Sequence, residues 1–68
     1  MKIVLNGETR EVGDECSVAE AVALAGAPGT ERGVAVAVNG EVVPRGEWEG
    51  RVLAEGEAIE VVHAVQGG

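Results

Sequence analysis

The sequence predicts an α+β fold: a mixed sheet of about four to five strands packed on one helix. Three observations point there. Two Asn-Gly pairs, Asn6-Gly7 and Asn39-Gly40, sit between short strand-like stretches, and this dipeptide is the strongest short hairpin signal because both residues accept positive φ. One stretch, opening at Ser17, combines a helix-start pattern with helical spacing of apolar residues. The apolar residues make up 46% of 68 positions and are mostly Val and Ala, with no Phe, no Tyr and one Trp. A core of β-branched and small residues favours sheet.

Residues 2–6 read as the first strand, with Ile3 and Leu5 on one face. Asn6-Gly7 turns the chain, and residues 9–12 read as the returning strand. Ser17-Val18-Ala19-Glu20 then has the capping-box pattern, in which the Ser17 hydroxyl accepts from the Glu20 N–H and the Glu20 carboxylate reaches back. Val18, Ala21, Val22 and Ala25 follow at helical spacing. Gly26 is placed to end the helix in a left-handed conformation, and Pro28 prevents its resumption.

Residues 27–33 read as a loop. Val34–Val38 is apolar at every position, the pattern of a strand covered on both faces or central in its sheet. Asn39-Gly40 is the second hairpin signal; residues 41–43 start the return and Pro44 stops it. Residues 45–51 are polar apart from Trp48, Val52-Leu53 can form a very short strand, and Glu55-Gly56-Glu57 reads as a turn. Residues 58–64 are the last strand, with Ile59 and Val61 on one side. The order is β-β-α-β-β-β. The ubiquitin-like β-grasp fold has this order, although the pattern alone also allows other small sheets. The chain divides into one domain over residues 1–64 and a flexible C-terminal tail, Val65-Gln66-Gly67-Gly68.

Composition narrows the function. A chain this short buries only about 60% of the surface it exposes when unfolded, which leaves little stability to give up for a deep active-site cavity. The formal charge of −7, from 12 acidic and 5 basic residues, disfavours nucleic acid and anionic membranes as partners. It suits docking on a basic surface, and it serves solubility equally well. A single cysteine, Cys16, makes neither an internal disulfide nor a thiolate metal cluster, and fits a reducing setting. No charged-then-apolar signal segment opens the sequence, and no apolar run is long enough to span a bilayer. The expected location is cytoplasmic.

The side chains are a poor catalytic inventory. His63 is the only histidine, so a metal site would need several carboxylates converging on it. No phosphate-binding glycine loop of Walker or dinucleotide type is present. Cys16 precedes the helix, where a thiol can be activated, but Asp14 and Glu15 disfavour thiolate and a small half-buried residue is the simpler reading. His63 shares the parity of Ile59 and Val61, which reads as a core-edge residue or a contact near the tail. Trp48 reads as a cap on the core or as an interface anchor. The chain is not expected to be an enzyme, to hold a metal, or to bind a cofactor of its own.

The end of the sequence is different. Gly67-Gly68 closes it directly after a strand. Two residues without Cβ let the backbone pass through a narrow channel. Four extended residues reach about 13–14 Å beyond a domain, enough to put a terminal carboxylate into another protein's active site. A carboxylate is a weak electrophile. Coupling it to AMP from ATP neutralises its charge and supplies a leaving group, so that a sulfur or nitrogen nucleophile can attack the acyl carbon.

Three segments carry a family likeness: Leu5-Asn6-Gly7-Glu8; Val34-Ala35-Val36-Ala37-Val38-Asn39-Gly40-Glu41-Val42-Val43-Pro44-Arg45 with Glu47-Trp48; and Ala64-Val65-Gln66-Gly67-Gly68. Over essentially its whole length the chain resembles the ThiS family, ubiquitin-like sulfur carriers of thiamine biosynthesis. The resemblance implies that Gly68 is the covalent site. A ubiquitin-activating-type adenylyltransferase using Mg-ATP would form an acyl-adenylate there. A persulfide sulfur donor such as a cysteine desulfurase would supply sulfur that replaces AMP. Thiazole synthase would accept sulfur from the resulting thiocarboxylate. Val65, Gln66 and Gly67 would thread the partner active site. The chain departs from the family pattern in its alanine-rich helix, its glycine-rich 27–33 loop, and His63 in place of a small polar residue. A carrier with another acceptor (molybdopterin, cysteine or tRNA thiolation) and a non-covalent ubiquitin-like module binding through its open sheet face are the alternatives.

Overall fold

The computed structural model describes residues 1–26 and 33–63. Most of the 27–33 loop and all of the 65–68 tail lie outside the described residues. Strands β1 (Lys2–Leu5) and β2 (Glu8–Glu11) form an antiparallel hairpin with Leu5 opposite Glu8. Asn6 and Gly7 carry it at φ 51° and 84°, a left-handed pair whose twist matches that of the flanking strands. The second Asn-Gly pair repeats this geometry at φ 52° and 84° and joins β3 (Val34–Val38) to the two-residue β4 (Glu41–Val42). The last strand, β5 (Ala58–His63), lies in the middle of the sheet, whose order is β2-β1-β5-β3-β4. It runs parallel to β1 and antiparallel to β3. A five-stranded mixed sheet with one helix is the ubiquitin-like β-grasp arrangement expected from the element order.

Helix α1 (Val18–Leu24) starts where the capping pattern places it: the Ser17 Oγ accepts from the Glu20 N–H at 3.2 Å. It stops at Gly26, whose φ of 87° is the left-handed turn expected there. Val18, Ala21 and Val22 on the helix join Ile3 and Leu5 of β1, Val36 and Val38 of β3, and Ile59 and Val61 of β5 in one buried cluster. The period-two spacing of these strand residues puts them all on the face that the helix covers.

The opposite sheet face is open, so β3 is not covered on both faces; the other expectation holds, since it lies inside the sheet, paired with β5 on one side and β4 on the other. Its alternate residues, Ala35 and Ala37, face away from the core, Ala35 exposed and Ala37 half-buried. The strand is apolar throughout because valine fills the core face while small alanines occupy the open one. Val52-Leu53 also differs from a strand. Val52 makes a single bridge to Ser17, while the Leu53 N–H donates to the Cys16 carbonyl and the Val18 N–H to the Arg51 carbonyl. This segment therefore fastens the chain that enters the helix. Trp48, which follows a 3₁₀ turn at Arg45–Glu47, is 4% exposed and belongs to the core, resolving its two readings in favour of packing.

Candidate functional site

The site expected from the sequence is the chain end, and the structure describes what leads to it. Gly68 and the threading residues Val65, Gln66 and Gly67 lie outside the described residues. Gly68 is the fifth residue after His63. Five residues span at most about 18 Å when extended, which bounds the distance from His63 to the terminal carboxylate.

β5 is held at both ends. At its start, the Val4 N–H donates to the Glu57 carbonyl at 2.9 Å and the Asn39 N–H to the Ala58 carbonyl at 2.7 Å. The Asn39 Oδ1 accepts from the Ala58 N–H at 3.0 Å, and its Nδ2 donates to the Glu57 carboxylate at 3.3 Å. That carboxylate also accepts from the Ala54 N–H at 2.8 Å and lies 3.6 Å from the Arg51 guanidinium. At the outgoing end, β3 pairs with β5 to its last residue, Val34 opposite His63. On the other side β1 pairs only as far as Ile59. There Asn6 takes over: its N–H donates to the Ile59 carbonyl and its Oδ1 accepts from the Val61 N–H, both at 2.8 Å. The side-chain roles of both asparagines went unread in the sequence, although their place in the two turns was legible.

The open face beside β5 carries two exposed valines on either side of the exposed Glu60, which lies opposite Ala37. Val62 is 59% exposed and pairs with Ala35; Val42 is 73% exposed and pairs with Ala37. Large aliphatic side chains left this bare suit contact with a partner.

The remaining candidate side chains form no second site. Cys16 is buried rather than half-buried, and its Sγ donates to the Ser17 carbonyl at 3.6 Å. Burial pushes its thiol pKa up, and the Glu20 carboxylate beside it adds to the rise, so the acidic neighbour that matters is Glu20 rather than Asp14 or Glu15. The thiol faces a shallow cleft of about 380 Å³ between the end of β2 and α1, lined also by Val12, Glu20 and Leu24 and by no residue of β5. A raised thiol is a poor nucleophile. His63 sits at the end of β5, opposite Val34. Among the described residues no group of three or more His, Cys, Asp or Glu is placed to hold a metal ion, and no helix is long and apolar enough to cross a membrane.

The sequence matches the model of the ThiS family over residues 3–68. A crystal structure of a thiamine biosynthesis protein (ThiS) from Geobacter metallireducens is similar to this chain, with a TM-score of 0.79 and 27% identity, covering 100% of both chains. A solution NMR structure of a thiamine biosynthesis protein from the same organism is similar with a TM-score of 0.78 and 26% identity, covering 100% of this chain and 88% of that one. No curated protein matches.

Proposed function

The chain belongs to the ThiS family, and from that membership we propose that it is a sulfur carrier of thiamine biosynthesis whose reactive group is the Gly68 carboxylate. The observation that carries the reading is that the family match runs to the final Gly-Gly. The central placement of β5 supports it, since a strand paired on both sides is a firm base for a chain end that must enter another protein.

In this reading the Gly68 carboxylate attacks the α-phosphorus of Mg-ATP in a ubiquitin-activating-type adenylyltransferase and expels pyrophosphate. The terminal sulfur of a persulfide, formed by a donor such as a cysteine desulfurase, attacks the acyl carbon and expels AMP. A thiol then cleaves the sulfur–sulfur bond and leaves a thiocarboxylate, which thiazole synthase uses as its sulfur source. Val65, Gln66 and Gly67 occupy the partner's channel, and the exposed valines of the open face meet the partner's surface. Magnesium and ATP belong to the partner, all steps take place in the cytoplasm, and the carrier catalyses none of them.

Reconstitution tests the proposal. With the activating enzyme and Mg-ATP, the full chain should support pyrophosphate release and a chain lacking Gly68 should not, because its acyl carbon is withdrawn by about 3.5 Å. Equal release with both chains would contradict it. The exposed Val42 and Val62 favour one second reading, a purely non-covalent binding module. Such a module would bind its partner equally well without Gly68 and would release no pyrophosphate with either chain.

A further inference from the structure

We propose that Asn6 is a positioning residue for the chain end: its side chain continues the β1 ladder after the β1 backbone has turned away, and so sets the line along which β5 delivers its last residues. The proposal rests on the carrier reading for its functional consequence and on geometry for its structural one.

Strand β1 ends at Leu5, and its register with β5 ends at Ile59. Every second residue of β5 turns its backbone groups to the same neighbour, so the next donor on that edge is the Val61 N–H. No β1 backbone carbonyl is available there, because the chain is already in the turn at Asn6, φ 51°. The Asn6 Oδ1 stands in that place, 2.8 Å from the Val61 nitrogen. Val61 is a core residue and this bond is part-buried, so removing the acceptor takes away the partner its N–H has on this edge. The direction of a strand is set by the ladders on its two sides. Without the bond to Asn6, β5 beyond Ile59 would be held by β3 alone, and any swing there would shift Val62 and His63, the strand residues from which the chain end departs.

Residue type matters at this position. Asparagine tolerates the left-handed conformation and carries an acceptor. Aspartate shares both properties, and glycine shares only the first. Asn39 provides the comparison, since it makes the same kind of bond to the Ala58 N–H in the same kind of turn, at the end of β5 remote from the tail.

The test uses Asn6→Gly, Asn6→Asp and Asn39→Gly in the full chain. It has two readouts: amide exchange at Val61 by NMR, and KM and kcat for adenylation by the activating enzyme with Mg-ATP. In Asn6→Gly, Val61 exchange should rise and kcat should fall, each about fivefold, the worth of one net hydrogen bond, with KM for the carrier little changed. Asn6→Asp should restore both. Asn39→Gly should lower the denaturation midpoint comparably and leave kcat unchanged. Unchanged Val61 exchange in Asn6→Gly, no rescue by Asp, or an equal loss of kcat in Asn39→Gly would overturn the proposal. Failure of the wild-type chain itself to be adenylated would instead overturn the carrier reading, and Val61 exchange would still decide whether Asn6 holds the strand.

Discussion

The indole N–H of Trp48 donates to the Val43 carbonyl at 3.0 Å, inside the core and directly beyond the β4 edge strand. This bond ties the 3₁₀ segment to the point where the chain leaves the sheet, and the Arg45 guanidinium lies 5.8 Å from the centre of the same ring.

Trp48→Phe keeps most of the ring volume but leaves the Val43 carbonyl without this donor, so it should destabilise the fold by about 1–2 kcal/mol. Trp48→Ala also empties the largest side-chain site in the core and should lose about 3–5 kcal/mol. A chain of this length has a total stability of roughly 3–10 kcal/mol, so the alanine variant should be substantially unfolded. Urea titration followed by far-ultraviolet circular dichroism measures both, since the single tryptophan fluorophore is itself removed. Equal midpoints for the two variants would show that the hydrogen bond, not the packing, dominates.

Ser17→Ala removes the acceptor for the Glu20 N–H at the start of a seven-residue helix. The expected loss is about 1 kcal/mol. Ser17→Asp should recover it, because aspartate also caps and favours the positive helix end. A midpoint for Ser17→Asp as low as that of Ser17→Ala would contradict the cap assignment.

The raised pKa of Cys16 has a signed consequence for stability. Below the ordinary thiol value of 9.0 the group is neutral in folded and unfolded chains, and its contribution is fully present. As pH rises past that value the unfolded chain ionises first, so stability falls until the folded thiol also ionises. Cys16→Ala should flatten this part of the alkaline decline in the urea midpoint. An identical decline in the variant would show that Cys16 does not cause it. The native thiol should also react slowly with a thiol reagent at neutral pH, and unfolding should expose it.

Val42→Lys alters a side chain that is 73% exposed on an edge strand. Its effect on stability should stay within about 0.5 kcal/mol. If the open face meets the activating enzyme, Kd for that complex should rise about tenfold, as for a residue in the contact centre. Titration calorimetry measures it, and an unchanged Kd would remove Val42 from the interface.

Local pattern made most of the architecture legible. Both Asn-Gly turns, the Ser17 cap, the Gly26 stop and the alternation of Ile3, Leu5, Ile59 and Val61 depend on neighbours within a few residues. Features set by distant parts of the chain were not legible. The parallel pairing of Val4 with Ala58, the bridge between Ser17 and Val52, and the reach of Asn6 to Val61 join residues more than thirty positions apart, and no short-range spacing encodes them. The acidic neighbour of Cys16 was misread for a related reason. Asp14 and Glu15 are near in sequence, but the capped first turn of the helix puts Glu20 against the thiol that precedes it. For the site itself, the resemblance of the final Gly-Gly and central segments to the family is what points the proposal to Gly68, and the structure adds how the strand before it is held.

The most direct measurement is intact mass after incubation with the activating enzyme, Mg-ATP and a persulfide donor, followed by fragmentation. The account predicts a mass gain equal to exchange of one oxygen for sulfur, confined to the C-terminal fragment ending in Gly68. An unchanged mass with an enzyme shown to be competent on another carrier, or sulfur found on Cys16 instead, would contradict it.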